Sequence, residues 1–194
     1  ARRGWPEEPL ETRWAALFDG AVKQADFTRQ AQKHGLTENS SLAILLLRFV
    51  PVPGQPVPSH YGRPLVRQAI LDLADQNALQ TVVRLSETRW ILVCRAAGKD
   101  PFPRAPLAAF LDAVEARIGL QVCAYCGEKG TVGQAVSMWV ALCQLEKHTV
   151  PDMQRIARGV DLPADKTQRR SFPLKTWKKM LVGFGPLTSL EESI

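Results

Sequence analysis

One apolar run, from Leu42 to Phe49 and interrupted only by Arg48, constrains the fold of this chain more than any other feature. Its eight residues suit a β-strand and fall far short of the roughly 18 apolar residues that a membrane-spanning helix needs. A strand that is apolar on every residue, rather than on alternate residues, is buried on both of its faces. The run therefore predicts a strand inside a sheet.

Helical and strand patterns flank this central run on both sides. Four apolar stripes at helical spacing each predict a helix. The first three extend over Leu10 to Phe18, Leu65 to Leu73 and Leu107 to Ile118, and the fourth consists of Val132, Val136, Trp139, Cys143 and Leu145. A shorter helix places Phe27 and Ala31 inward and ends before Gly35. Further strands are predicted at Gln80–Leu85, Arg89–Arg95 and Leu120–Cys126, and a proline-rich loop at Val50–Ser59.

The central order of elements is β–α–β–β–α–β, which is typical of a ferredoxin-like split βαβ sheet. We therefore expect an α+β fold, with four antiparallel strands that carry helices on one face. We divide the chain into a linker and helical pair (residues 1–39), the ferredoxin-like domain (residues 40–150) and a basic connector (residues 151–194).

The positive charge is concentrated in one segment. The chain has a net charge of +6, and the stretch from Arg155 to Lys179 holds eight basic and two acidic residues. The rest of the chain is therefore neutral, so the high isoelectric point does not indicate a basic domain. The segment could bind DNA phosphates, adjoin a DNA-binding domain or be an ordinary solvated face, and we favour the second reading.

The predicted hairpin resembles that of nucleotide cyclases of the GGDEF class, which share this order of elements. Their signature reads Arg-Leu-Gly-Gly-Asp-Glu-Phe and precedes an apolar strand. Here Arg84 and Leu85 resemble the lead-in, and Ile91 to Val93 resemble the exit strand. The five signature positions are replaced without a gap by Ser86, Glu87, Thr88, Arg89 and Trp90.

The replacements remove the chemistry of the signature. In the enzymes the glycines let the nucleotide approach the backbone, and an acid of the hairpin shares metal ions with an acid that ends the first strand. Ser86 and Glu87 add side chains at the glycine positions, and Thr88 and Arg89 replace the acids. The first strand ends Leu47-Arg48-Phe49-Val50 without a carboxylate, so hard cations lack anionic ligands there. We expect no catalytic residue, metal or cofactor.

The flanking segments extend the resemblance to the middle domain of certain AraC-type bacterial response regulators. These proteins have a receiver domain, two linker helices, a degenerate GGDEF-like domain and a DNA-binding helix-turn-helix pair. The resemblance rests on the helix around Trp14-Ala15-Ala16-Leu17-Phe18, the segment Lys33–Leu36, the final strand and helix over Gly127–His148, and the connector Arg170–Leu174. It implies partners in the same protein: a receiver upstream, and a downstream domain that makes the DNA contact.

The resulting hypothesis is a non-catalytic, cytoplasmic signal-coupling domain that relays an input to a DNA-binding domain outside this chain, with a homodimer as a further option. The predicted interdomain contacts are Trp14, Leu17 and Phe18 at one end and Trp177 and Leu181 at the other. The turn Ser86, Glu87, Thr88 and Arg89 is where a retained ligand would be sought. The alternative is a sensor domain that binds a small molecule or nucleotide on the former cyclase face.

The Cys-x-x-Cys motif at Cys123 and Cys126 has a structural interpretation. Residues three apart on a strand face opposite sides, which favours two structural thiols over a redox pair. A zinc site would need a second pair, and Cys94 and Cys143 are single. Buried thiols of a reducing cytoplasm are the expected state.

Overall fold

A computed structural model describes residues 9–51, 54, 62–96, 98–149 and 155–159, all within one structural unit of residues 1–159. The helices are α1 (Leu10–Phe18), α2 (Gln24–Ala31), α3 (Gly62–Leu73), α4 (Arg104–Ile118) and α5 (Ala135–His148). The strands are β1 (Ser41–Val50), β2 (Leu79–Arg84), β3 (Arg89–Arg95), β4 (Gln121–Cys126), β5 (Gly130–Thr131) and β6 (Ile156–Arg158). No helix among these residues is long and apolar enough to cross a membrane.

These strands form one mixed sheet with the order β2–β3–β1–β4–β6, and β5 pairs with the start of β1. The pairs β2–β3, β3–β1 and β1–β4 are antiparallel, whereas β6 runs parallel to β4. The apolar run lies in β1, between β3 and β4, as the sequence predicts. The fold is therefore α+β, and its hairpin β2–β3 stands at one edge of the sheet.

Both faces of the sheet are covered, which corrects the expectation that helices lie on one face. Ala43, Leu45 and Leu47 of β1 pack in a core with side chains of α3 and α4. The alternate residues Leu42, Ile44 and Leu46 are equally buried on the opposite face, which α5 covers. The physical reason is already present in β1: a strand that is apolar on both faces needs a second layer of helices.

Helix α1 covers the edge of the sheet at β2. It contacts β2 along its length, Glu11 pairs with Arg67 of α3 at 2.5 Å, and Phe18 contacts Trp139 of α5. The helix thus reaches from the layer on one face to the layer on the other. An exposed edge strand invites pairing with another chain, and α1 shields β2 from it.

The sheet continues past residue 150, into the segment that we interpreted as the connector. Arg155 pairs with Asp112 and Glu115 of α4 at 2.6 and 3.0 Å, and Arg158 pairs with Asp100 at 3.1 Å. Two of the eight basic residues in that segment are therefore neutralised by the folded unit. The other six lie outside the described residues.

Several local predictions are confirmed and two are wrong. Gly35 adopts the left-handed conformation, with φ of 77°, just past the end of a helix, as the sequence predicts, and Gly119 adopts the same conformation after α4. Leu65 was predicted to face the core but is 52% exposed, because the buried stripe of α3 runs through Val66, Ala69 and Ile70. Val136 is likewise exposed, whereas Leu145 of the predicted stripe is buried, together with Ala135 and Leu142. Most of the predicted loop Val50–Ser59 lies outside the described residues.

Candidate functional site at the hairpin turn

The turn between β2 and β3 is closed by the side chain of Ser86. Its Oγ accepts hydrogen bonds from the backbone N–H groups of Thr88 and Arg89, at 3.3 and 3.1 Å. The N–H groups of Leu85 and Ser86 both donate to the carbonyl oxygen of Arg89, at 2.9 and 3.1 Å. Serine hydroxyls stabilise turns in this way. The residue that stands where the resemblance puts a glycine therefore has a structural role in the turn.

The turn and the end of β1 meet, as the resemblance implies, but they bring no carboxylates together. The N–H of Phe49 donates to the carbonyl oxygen of Thr88 at 2.8 Å, which joins the two segments. Glu87 is exposed. Among the described residues, no group of three or more His, Cys, Asp or Glu side chains is placed to hold a metal ion.

Arg89 connects the turn to helix α5. Its Nε and Nη2 donate to the two carboxylate oxygens of Glu146, at 3.1 and 2.6 Å. The guanidinium also lies 6.0 Å from the centre of the Trp139 ring, within cation–π range. The side chains of Arg89 and Glu146 are 33% and 13% exposed, so water screens this pair only in part. Two-point pairing of this kind fixes orientation as well as charge.

Arg48 adds a second positive charge beside this ion pair. Arg48 lies opposite Arg89 on β3 and opposite Cys123 on β4. Like charges on facing strands repel, and Glu146 offsets this repulsion by neutralising Arg89. Burial raises the pKa of Tyr125, and the nearby Arg48 guanidinium opposes part of that rise. The α5-covered face of the sheet therefore holds a half-buried polar cluster at its hairpin end.

The predicted N-terminal contact residues also reach this cluster. Trp14, Leu17 and Phe18 are all buried within the described unit. We define the aromatic row as Phe27, Trp14, Phe18 and Trp139, whose successive ring centres are 4.4, 5.5 and 4.9 Å apart. The row starts in α2, passes through α1 and ends in α5 beneath Arg89. The predicted contact residues of α1 and the predicted turn residue Arg89 are therefore connected through Trp139.

Sequence reasoning missed Glu146, although a signal for it was present. Trp139, Cys143 and Glu146 follow one another at helical spacing on α5, so a carboxylate continues a stripe that packs against the sheet. A charge in such a position needs a partner. Arg89 is the only cation of the predicted turn and therefore a candidate partner for Glu146. The sequence did not show, however, that α5 crosses above the hairpin.

The remaining predicted residues fall in two classes. Trp177 and Leu181 lie outside the described residues. Cys126 belongs to the core on the α3–α4 face, whereas Cys123 neighbours Arg48 on the opposite face. All four cysteines lie within the described residues, and none of them forms a disulfide. The Cys-x-x-Cys motif is thus divided between two faces of the sheet, as the strand geometry predicts.

Comparison of the chain with known protein families and with curated protein sequences finds no match to either. The function must therefore be argued from the geometry of the molecule itself.

Proposed function

We propose that this chain is a non-catalytic signal-coupling domain of a bacterial transcriptional regulator. In this proposal the hairpin turn connects the sheet to helix α5. The observation that carries the proposal is the ion pair between Arg89 and Glu146. In the enzymes that the hairpin resembles, this turn faces metal ions and a nucleotide. Here its one cation is bound by the protein's own helix, so the turn holds two elements together.

The fold supports the assignment to a degenerate GGDEF-like domain. The antiparallel strands β2–β3–β1–β4, with α3 and α4 as the crossing helices, have the connectivity of a split βαβ sheet. Phosphoryl transfer at such a site needs carboxylates to hold metal ions. The end of β1 offers Arg48 instead, and Glu87 in the turn is exposed. On this proposal the chain keeps the framework of the cyclases and carries a positive charge where they have acids.

The aromatic row supplies the route for a signal. A movement of α1 would displace Phe18 from Trp139 and alter the contact of Trp139 with Arg89. Packed rings cannot deform continuously, so such a movement has discrete outcomes. We propose that an upstream receiver domain acts on α1 and α2, and that a DNA-binding domain downstream of this chain reads the result.

We also propose that the chain is part of an AraC-type two-component response regulator and that this protein is located in the bacterial cytoplasm. The support for this location is that the four cysteines are present as thiols rather than as disulfides, the state that persists in a reducing compartment. DNA would be contacted only by the downstream domain. Homodimerisation through the flanking domains is compatible with this arrangement.

A turnover assay tests the absence of catalysis. We expect no cyclic dinucleotide when the purified chain is incubated with GTP and Mg²⁺ and the products are measured by mass spectrometry, because the turn lacks the required carboxylates. We also expect no rise of the melting temperature with GTP, since a bound ligand would stabilise the fold. An active GGDEF cyclase serves as the positive control. Product formed above the no-protein background would contradict the proposal.

The alternative function, a sensor that binds a nucleotide on the former cyclase face, has less support at the turn. A nucleotide phosphate would need a free cation there, and Arg89 is already paired with Glu146. Arg48 remains beside the turn as a candidate contact. A saturable rise of the melting temperature with a nucleotide, abolished by Arg48→Met, would favour this alternative.

A further inference from the structure

A large cavity lies on the opposite face of the sheet, between α3 and α4. Its volume is about 670 Å³, within the range of small-molecule sites. The floor is formed by Leu45, Leu92 and Cys94 of the sheet, at the end of β3 that is remote from the hairpin turn. Its side walls include Leu73, Leu79, Phe102, Leu107 and Phe110. The apolar lining of the cavity therefore extends from the protein surface to the central strands of the sheet.

The walls of this cavity are held in place before any ligand arrives. Three prolines, Pro101, Pro103 and Pro106, form one side, and proline fixes its own backbone φ angle. The Asp100 carboxylate accepts a hydrogen bond from the N–H of Phe102 at 3.0 Å, and Arg158 of β6 binds both Asp100 and the carbonyl oxygen of Phe102. A preformed site loses little entropy on binding.

Among the described residues that line the cavity, Asp75 is the only one with a charged side chain, and it is exposed. Its carboxylate accepts a hydrogen bond from the N–H of Asn77 at 2.9 Å, and its carbonyl oxygen accepts from the N–H groups of Ala78 and Leu79. The carboxylate has no ion-pair partner in the described part of the chain. Burial, and secondarily the charge of Asp75, raise the pKa of Cys94 to about 12. The negative charge of Asp75 therefore acts on the Cys94 thiol at the cavity floor.

We infer that this cavity binds a small apolar molecule that carries one cationic amine, with the amine against Asp75 and the apolar body between Phe102 and Phe110. An apolar body is indicated because the other described side chains of the lining are hydrocarbon, apart from the thiol of Cys94. A cation is indicated because the single charge is negative. Nucleotides and other phosphates fit poorly, since none of the lining residues that the structure describes is a cation. The inference is independent of the signal-coupling function proposed for the turn.

Calorimetric titration tests this site with three probes that share a naphthyl group and an ethylene spacer: naphthylethylamine, naphthylethanol and naphthylpropionate. We expect the amine to bind saturably with one-to-one stoichiometry, the alcohol more weakly and the carboxylate least. Asp75→Asn keeps an acceptor for Asn77 but removes the charge. It should weaken binding of the amine by about threefold to fivefold, the effect of an exposed ion pair, and leave the alcohol unchanged.

Two further variants make the test specific. Ala109 is exposed and lines the cavity on α4, so Ala109→Trp should fill the space and weaken all three probes at least tenfold, while circular dichroism reports an intact fold. Asp19→Asn removes an exposed carboxylate away from the cavity and should change nothing. The inference is overturned if the amine does not saturate at millimolar concentration, if amine and carboxylate bind equally, or if Asp75→Asn leaves amine binding unchanged.

Discussion

Replacement of Trp14 by alanine should lower the free energy of unfolding by about 3–5 kcal/mol, the usual cost of removing a buried aromatic side chain. Trp14 is fully buried, and its ring contacts Phe18 at 5.5 Å and Phe27 at 4.4 Å between centres. The cavity left behind would separate α1 from α2 and interrupt the aromatic row. Urea unfolding, followed by circular dichroism, measures the loss as a shift of the midpoint.

Val140→Ala is the matched control for this substitution. Val140 lies on α5 and is 48% exposed, so its truncation should change the stability by no more than about 0.5 kcal/mol. The comparison also addresses the predicted role of Trp14 as an interdomain contact. If Trp14 served mainly to bind another domain, Trp14→Ala would leave the stability of this chain nearly unchanged, and the packing described here would be wrong.

Removal of the ion pair between Arg89 and Glu146 should have the second largest effect on the free energy of unfolding. Arg89→Met leaves the Glu146 carboxylate, which is 13% exposed, without its partner. Removal of one partner of a fully buried pair costs about 3–5 kcal/mol, and of an exposed pair less than about 1 kcal/mol. For this half-buried pair we expect a loss of about 1–2 kcal/mol. Urea unfolding of Arg89→Met, Glu146→Gln and the double variant gives the coupling energy, which should be about 1 kcal/mol.

The ion pair between Asp26 and Arg29 provides the control cycle. These side chains are 52% and 76% exposed and lie one turn apart on α2, so the coupling energy should be no more than about 0.5 kcal/mol. The two cycles differ in burial and in two-point geometry. A coupling energy for Arg89 and Glu146 no larger than that of the control would show that the turn is not held by α5.

The local elements could be predicted because their signals are local. The run Leu42 to Phe49 specifies a buried strand by composition alone, and glycines at the ends of helices mark positions that adopt positive φ. The spacing of the hairpin places Arg89 at the start of β3. Each of these predictions needs no knowledge of what lies across the sheet.

The contacts across layers could not be predicted in the same way. Whether α5 covers the second face depends on the path of the chain in space, and so does its crossing above the hairpin. The same limit applies to Leu65, which fits the helical stripe of α3 but is 52% exposed. Arg155 and Arg158 looked like part of a basic tail because their partners, on α4 and in the loop before it, are more than 35 residues away.

The most direct test of the signal-coupling claim is a charge exchange between Arg89 and Glu146 in the organism that encodes the chain. Transcript profiles would be compared for strains with Arg89→Glu, Glu146→Arg, both changes, and a deletion of the gene, at matched protein levels. We predict that each single change alters the transcripts that the deletion alters, and that the double change restores them. Single changes that leave every one of those transcripts at its original level, at equal protein abundance, would contradict the claim.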